Sequence, residues 1–173
     1  ILFSLLMVAL LFIMIPRAEA SANRINEVLA IEPEIVDPHP MKEATQMRGY
    51  VEFQDVTFSY HGAESPALSN ISFRALPGKV TAIIGGTGAG KSTLVNLIPR
   101  FYDVDSGRIL VDGVETREMA QEHLRAKIGF VPQKAVLFAG TIKDNLCYGK
   151  QDATADEIQH AADVAQATEF ISQ

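Results

Sequence analysis

A chain of 173 residues has room for one globular core of ordinary size. Its composition is 47% hydrophobic, 21% charged and 8% aromatic, and its mean hydropathy of +0.11 lies slightly above that of a typical soluble domain, so an apolar segment is lifting the average. A net charge of -6 with no basic cluster argues against nucleic acid as the main partner, and a single cysteine, Cys147, excludes an intrachain disulfide. Cys147 reads as a small buried apolar residue.

Taken in order, Ile1 to Ile15 carry one hydroxyl and no charge. Such a stretch spans roughly 22 Å as a helix, short of a roughly 30 Å hydrocarbon core, and reads as the C-terminal part of a transmembrane helix. A signal-peptide core is the rival, since Ala18-Glu19-Ala20 resembles a cleavage site, but no basic segment precedes the run. A buried soluble helix would seldom hold so long a stretch without charge. Pro16-Arg17 closes the apolar run, and Arg17 and Arg24 sit just outside it, as expected on the cytoplasmic side. Ala18, Ala22, Ile25 and Leu29 then form one apolar stripe on a polar helix that ends before Pro33. Residues Glu32 to Gly49, with Pro33, Pro38 and Pro40, read as a linker. The boundaries are thus a membrane helix over 1–16, a cytoplasmic helix and linker over 17–49, and a second domain over 50–173. Because the chain begins at Ile1 and its last predicted helix runs to Gln173, it reads as a piece of something longer.

In the second domain Val51 and Phe53 alternate on one face, and Val56, Phe58 and Tyr60 on the other phase, which predicts strand segments joined by a bulge or turn near Asp55. Further strands are predicted at Ile71 to Phe73, Val80 to Ile84, Gly107 to Val111 before an Asp112-Gly113 turn, and Ile128 to Val131. A helix is predicted from Lys91 to near Pro99, and Thr154 with Glu157 forms a capping box for a helix running to the end.

The chemistry lies in residues 85 to 92. Gly85, Gly86, Thr87, Gly88, Ala89, Gly90, Lys91 and Ser92 match G-x-x-x-x-G-K-S/T at every fixed position, between a predicted strand and a predicted helix. Glycines let backbone N–H groups turn inward around an anion, and a helix N-terminus adds partial positive charge. Lys91 would reach the β- and γ-phosphates of a nucleotide, Ser92 would place its hydroxyl on Mg²⁺, and Thr93 would support the helix start. A ligand-free Gly-rich turn is the bland alternative, but four glycines would weaken a turn that bound nothing.

Four ordered segments resemble one family closely: VEFQDVTFSY after Tyr50, AIIGGTGAGKST, RFYDVDSGRILVDG and IGFVPQKAVLFAGTIKDNL. They resemble the nucleotide-binding domain of ATP-binding cassette exporters, and IPRAEASANRINEVL resembles the end of the last transmembrane helix of the same proteins. The resemblance implies an α/β P-loop NTPase fold, truncated, behind the end of a membrane helix. It implies that Tyr60 stacks on adenine, where the alternative is an edge-strand tyrosine covering the core. It implies that Gln133 contacts Mg²⁺ and the attacking water, and that Leu137 to Leu146 faces the membrane helices. The partners implied are ATP with Mg²⁺, a transmembrane domain in the same chain, a second ATP-binding subunit and the lipid bilayer of the cell membrane, with the ATP-binding domain on the cytoplasmic side. The family's Leu-Ser-Gly-Gly-Gln signature, Asp-Glu strand end and switch histidine do not occur in this sequence, and His39, His61, His123 and His160 read as surface or linker residues. The expected function is ATP binding and, in the intact protein, hydrolysis coupled to export, the fragment alone being incompetent in hydrolysis. The alternatives are a degenerate subunit of a heterodimeric transporter and an unrelated membrane-anchored P-loop NTPase.

Overall fold

The computed structural model describes residues 1–43 and 48–171. Part of the predicted linker, 44–47, lies outside the described residues. The chain divides into two compact units, Ile1–Gly129 and Phe130–Gln173, each taken by itself below.

The first unit begins with helix α1, Leu2–Leu29, which runs without interruption through Pro16 and joins the apolar run to the polar stripe predicted beyond it. At 28 residues it is about 42 Å long. None of its residues is buried, and by length and composition it is able to cross a membrane. The segment that follows has no helix or strand among its described residues but is strapped down. The Asp37 carboxylate accepts from the Gln121 amide at 2.9 Å, Arg100 donates to the Val36 carbonyl at 3.4 Å, and the Lys42 N–H donates to the Glu118 carbonyl at 2.8 Å. The proline-rich composition therefore marks a pinned strap here rather than a slack tether.

The sheet is antiparallel, in the order β2-β1-β3-β4, from β1 Val51–Phe58, β2 Leu68–Ala75, β3 Ser106–Val111 and β4 Val114–Glu115. Phe53, Val56 and Phe58 of β1 are all buried although they do not share one alternation. The phase change predicted near Asp55 is a bulge. Asp55 takes φ 49°, and the pairing with β2 slips between Phe53 and Val56. An inserted residue lets the chain change phase and keep its apolar side chains on the core face. Gly107 lies opposite, at φ +79°, where a Cβ would stand 2.4 Å from the Asp55 carbonyl oxygen, so only glycine fits. The Asp112-Gly113 turn has φ 51° and 82°, the paired positive values of a tight type I′ hairpin.

Helix α2, Lys91–Leu97, lays Leu94 and Leu97 on the sheet with Phe53, Val56, Phe58, Leu68 and Ile109. Each large side chain buried in this way contributes about 1.5–3 kcal/mol. A second cluster joins Val111, Met119 and Leu124, the last from the short helix α3, Gln121–Arg125, which the periodicity did not reveal.

Two predicted strands are not formed. Val80 to Ile84 is hydrogen-bonded to no strand among the described residues, with Val80 fully exposed and Ile84 91% exposed. Ile128 to Val131 is likewise not formed into a strand, although Ile128 packs against the second cluster. Apolar runs of this kind suit parallel strands covered on both faces, and they need neighbouring strands that none of the described elements supplies.

The second unit holds α4 Ile142–Leu146, α5 Ala155–Val164 and α6 Thr168–Ile171. The capping box at Thr154 and Glu157 is present, and Thr141 with Asp144 makes another that was not anticipated. The helix predicted to run to the end instead breaks after Val164. Gln166 takes φ 56°, its N–H donates to the Asp163 carbonyl and the Ala167 N–H to the Ala162 carbonyl. These paired bonds are a Schellman stop made without glycine. Cys147 ends α4 half-buried rather than buried, because a cap residue lies at the edge of its helix.

Candidate functional site

The loop Gly85 to Gly90 leads into α2, with Gly90 as the helix N-cap in the left-handed region at φ +81°. A Cβ on Gly90 would come within 2.8 Å of Leu68 Cδ2 and 3.0 Å of the Ala67 carbonyl, so both conformation and close packing on the start of β2 require glycine. Gly88 is also left-handed, at φ +80°. At Gly86 and Gly88 no other atom lies within 4 Å of where a Cβ would stand, which leaves the loop's surface open to close approach. The cradle residues fit a phosphate group on this count.

Lys91 is the first residue of α2, and its Nζ reaches back to donate to the Gly85 carbonyl at 2.9 Å and to that of Gly86. The ammonium therefore stands over the loop rather than away from it. Ser92 is exposed, whereas Thr93 beside it is buried and 7% exposed. The predicted set Gly85 to Thr93 thus forms one continuous feature from the loop to the first turn of α2.

Tyr60 lies just past β1 and brings a second predicted residue to the same place, because its hydroxyl and that of Thr93 share a hydrogen bond of 3.0 Å. Its ring meets Phe58 at 4.9 Å and Tyr102 at 5.4 Å, both nearly at right angles, and remains 39% exposed. Tyr60 therefore covers the core and still offers surface. A cavity of about 730 Å³ lies beside it, lined by Tyr60, Phe58, Tyr102, His61, Glu34 and Ile35, with no residue of the glycine loop in its wall.

Gln133 belongs to the second unit, exposed in a bend after Pro132. Its assignment rests on the sequence resemblance alone. The four histidines are exposed. No cluster of three metal-binding side chains occurs among the described residues.

Two carboxylates of the first unit with clear shifts belong to the sheet and its hairpin. Glu52 is lowered to about 2 by hydrogen bonds from Gln54, from the Tyr50 hydroxyl and from Arg74, which donates at 2.8 Å. For Asp112 burial pushes the carboxyl up, but Lys127 at 3.0 Å and the N–H groups of Tyr50 and Gly49 outweigh it and hold it below the usual range. Sequence reasoning missed the Tyr60–Thr93 bond, the Gly90–Leu68 approach and the Asp37–Gln121 strap. All three join residues far apart in the chain, and no local pattern announces them.

Residues 68–173 match the ABC transporter family. The chain belongs to that family. It is 45% identical over 168 residues to the ABC transporter ATP-binding protein YfiB of Bacillus subtilis (strain 168), covering 97% of this chain and 29% of the relative. It is 46% identical over 153 residues to a fatty acid ABC transporter ATP-binding/permease protein of Mycobacterium tuberculosis (strain CDC 1551 / Oshkosh), covering 88% of this chain and 24% of the relative. The structure of a bacterial Atm1-family ABC exporter with ATP bound resembles it with a TM-score of 0.88 and 34% identity, over 96% of this chain and 29% of that one. The chain therefore spans under a third of the length of the curated relatives it matches. The fold is that of the ATP-binding P-loop domain of ABC transporters, behind an apolar N-terminal helix.

Proposed function

We propose that this chain binds ATP with Mg²⁺ at Gly85 to Thr93 and serves as the start of the ATPase domain of an ABC exporter. The observation that carries the proposal is the glycine loop itself: Gly88 and Gly90 in left-handed conformations deliver Lys91 to the head of α2, with its ammonium over the loop. The backbone amides and Lys91 would hold the phosphates, and Tyr60 would receive the base. Ser92 would hold Mg²⁺, which neutralises charge developing on the phosphates in transfer, and the sequence resemblance assigns Gln133 to the same ion.

The exporter reading rests on the relatives, whose names include export and permease functions, and on α1, which is long and apolar enough to cross a bilayer. In this reading residues 1–16 are the end of a membrane helix in the cell membrane, 17–49 a helix and linker on the cytoplasmic side, and 50–173 the beginning of the ATP-binding domain. A second ATP-binding subunit would close on the first when ATP binds, and hydrolysis would reopen the pair. The known relatives bear names as different as fatty acid, multidrug and glucan transport, so the class of transported molecule is not carried over.

The test is equilibrium binding of a fluorescent ATP analogue with Mg²⁺ to the membrane-embedded transporter containing these residues. Lys91→Ala is expected to weaken binding at least tenfold, about 1.4 kcal/mol. Equal binding by a folded Lys91→Ala protein contradicts the proposal.

A further inference from the structure

We propose that residues 35–42 form a coupling clamp between α1 and the helix that carries the phosphate loop: bonded at once to α3 and to the residue that ends α2, the segment is held shut when a nucleotide orders the loop. The proposal rests on the reading of Gly85 to Thr93 as a nucleotide site.

Polar groups on a slack tether face water, and several in this segment are instead committed to the fold. The first N–H of α3 finds no side-chain acceptor on its own N-cap, Ala120, and the Asp37 carboxylate supplies one from 84 positions earlier, at 2.9 Å. The Gln121 side chain returns to the same carboxylate at 3.2 Å and to the Ile35 carbonyl at 3.4 Å. On the other side Arg100, 5% exposed, donates to the Val36 carbonyl. Arg100 lies just past α2 in the left-handed region at φ 54°, and its own carbonyl accepts from Arg125 of α3 at 3.1 Å. The bonds therefore close a ring through Asp37, α3, Arg100 and Val36, all within the first unit. Leu124, 0% exposed, seats α3 in the second cluster and so fixes the ring to the core. Because α2 has only 7 residues and is about 10 Å long, a grip on Arg100 acts on the same short rod that begins with Lys91 and Ser92. Residues 30–35, with Pro33 among them, join α1 to the ring and can span at most about 20 Å, which limits the slack between the two. The ring has one weak point. Its bond from Arg100 to Val36 is long, at 3.4 Å, and Nη1 of the same guanidinium is buried with no hydrogen-bond partner among the described residues. The clamp opens there at least cost, which gives it a shut and a released state. A ligand that orders the loop orders α2 and favours the shut state, and by linkage the shut state favours that ligand by the same factor.

The experiment follows amide hydrogen exchange in the membrane-embedded transporter containing these residues, with and without Mg²⁺-ATP, beside ATP affinity measured with a fluorescent analogue. In the unaltered protein ATP is expected to slow exchange about fivefold in the peptides covering 35–42 and 118–125, and also in the last turns of α1. Asp37→Ala should abolish that slowing and weaken ATP by about the same factor, while Asp37→Asn, which keeps an acceptor for the Gln121 N–H, should restore both. Four Gly-Ser residues inserted between Glu32 and Pro33 lengthen the tether without touching the ring. This variant should keep ATP affinity and the slowing at 35–42 and 118–125, and lose the response of α1. The proposal is overturned if ATP slows exchange at 85–93 but leaves 35–42 and 118–125 unchanged, if the slowing there survives Asp37→Ala, or if α1 responds equally with the longer tether. Should Asp37→Ala fail to fold, the Asp37→Asn and insertion variants still decide between these outcomes. Exchange at 85–93 keeps the two failures apart: indifference of that peptide to ATP would remove the nucleotide-site reading itself, and the clamp with it.

Discussion

The two flanks of the glycine loop are built differently. Downstream, α2 is anchored by Leu94 and Leu97, 7% and 1% exposed, against the antiparallel sheet β2-β1-β3-β4. Upstream, Val80 and Ile84 are 100% and 91% exposed and pair with nothing among the described residues. Antiparallel strands close their hydrogen bonds through short hairpins with near neighbours, as β3 and β4 do across Asp112-Gly113. A parallel strand depends on partners that arrive through long crossovers. Tyr60 and the start of α2 are therefore anchored on a formed sheet, and the segment that leads into the loop is not.

Core substitutions should break this comparison first if it is wrong. Leu97→Ala is expected to cost about 2–5 kcal/mol of unfolding free energy, and Ile84→Ala less than about 0.5 kcal/mol, in chemical denaturation of the chain. Similar losses at both positions would mean that the upstream flank is packed after all. Within the loop, Gly90→Ala should cost about 1–3 kcal/mol through its left-handed backbone and the contact with Leu68. Gly86→Ala has open space around it and should leave stability unchanged while weakening ATP. A thermal melt beside a binding curve for each variant distinguishes the two kinds of glycine.

A smaller effect follows from acid. Glu52 in the first unit and Glu157 in the second are each lowered from 4.5 to about 2, Glu52 by Gln54, Tyr50 and Arg74, Glu157 by Lys150 and the Thr154 cap. A carboxylate lowered on folding stabilises the folded state above its ordinary value, and that contribution is lost as pH falls through the folded one. Stability should therefore decline between about pH 4.5 and 2, and Glu52→Gln should flatten part of that decline in a denaturation series. An unchanged slope in the variant would show that the Glu52 network does not contribute.

Where the sequence was readable, the signal was local. The switch of apolar phase between Phe53 and Val56 marked the bulge, Asp112-Gly113 marked the hairpin, Thr154 with Glu157 marked a helix start, and the glycine loop marked itself. The apolar content of Val80 to Ile84 and Ile128 to Val131 predicted strands that do not form among the described residues, because pairing is not a property of a segment. The break at Gln166 escaped notice because its Schellman stop uses a residue that carries no stop signal. The strap from Asp37 to Gln121 and the bond from Tyr60 to Thr93 span 84 and 33 positions, and only the folded chain brings their partners together.

The central claim is that ATP phosphates are held by the backbone of Gly85 to Thr93. Amide hydrogen exchange of the membrane-embedded transporter, with and without Mg²⁺-ATP, tests it most directly. The account predicts that ATP slows exchange in the peptide covering 85–93, and that Lys91→Ala abolishes the slowing. Protection confined to other peptides, or unchanged in Lys91→Ala, would contradict it.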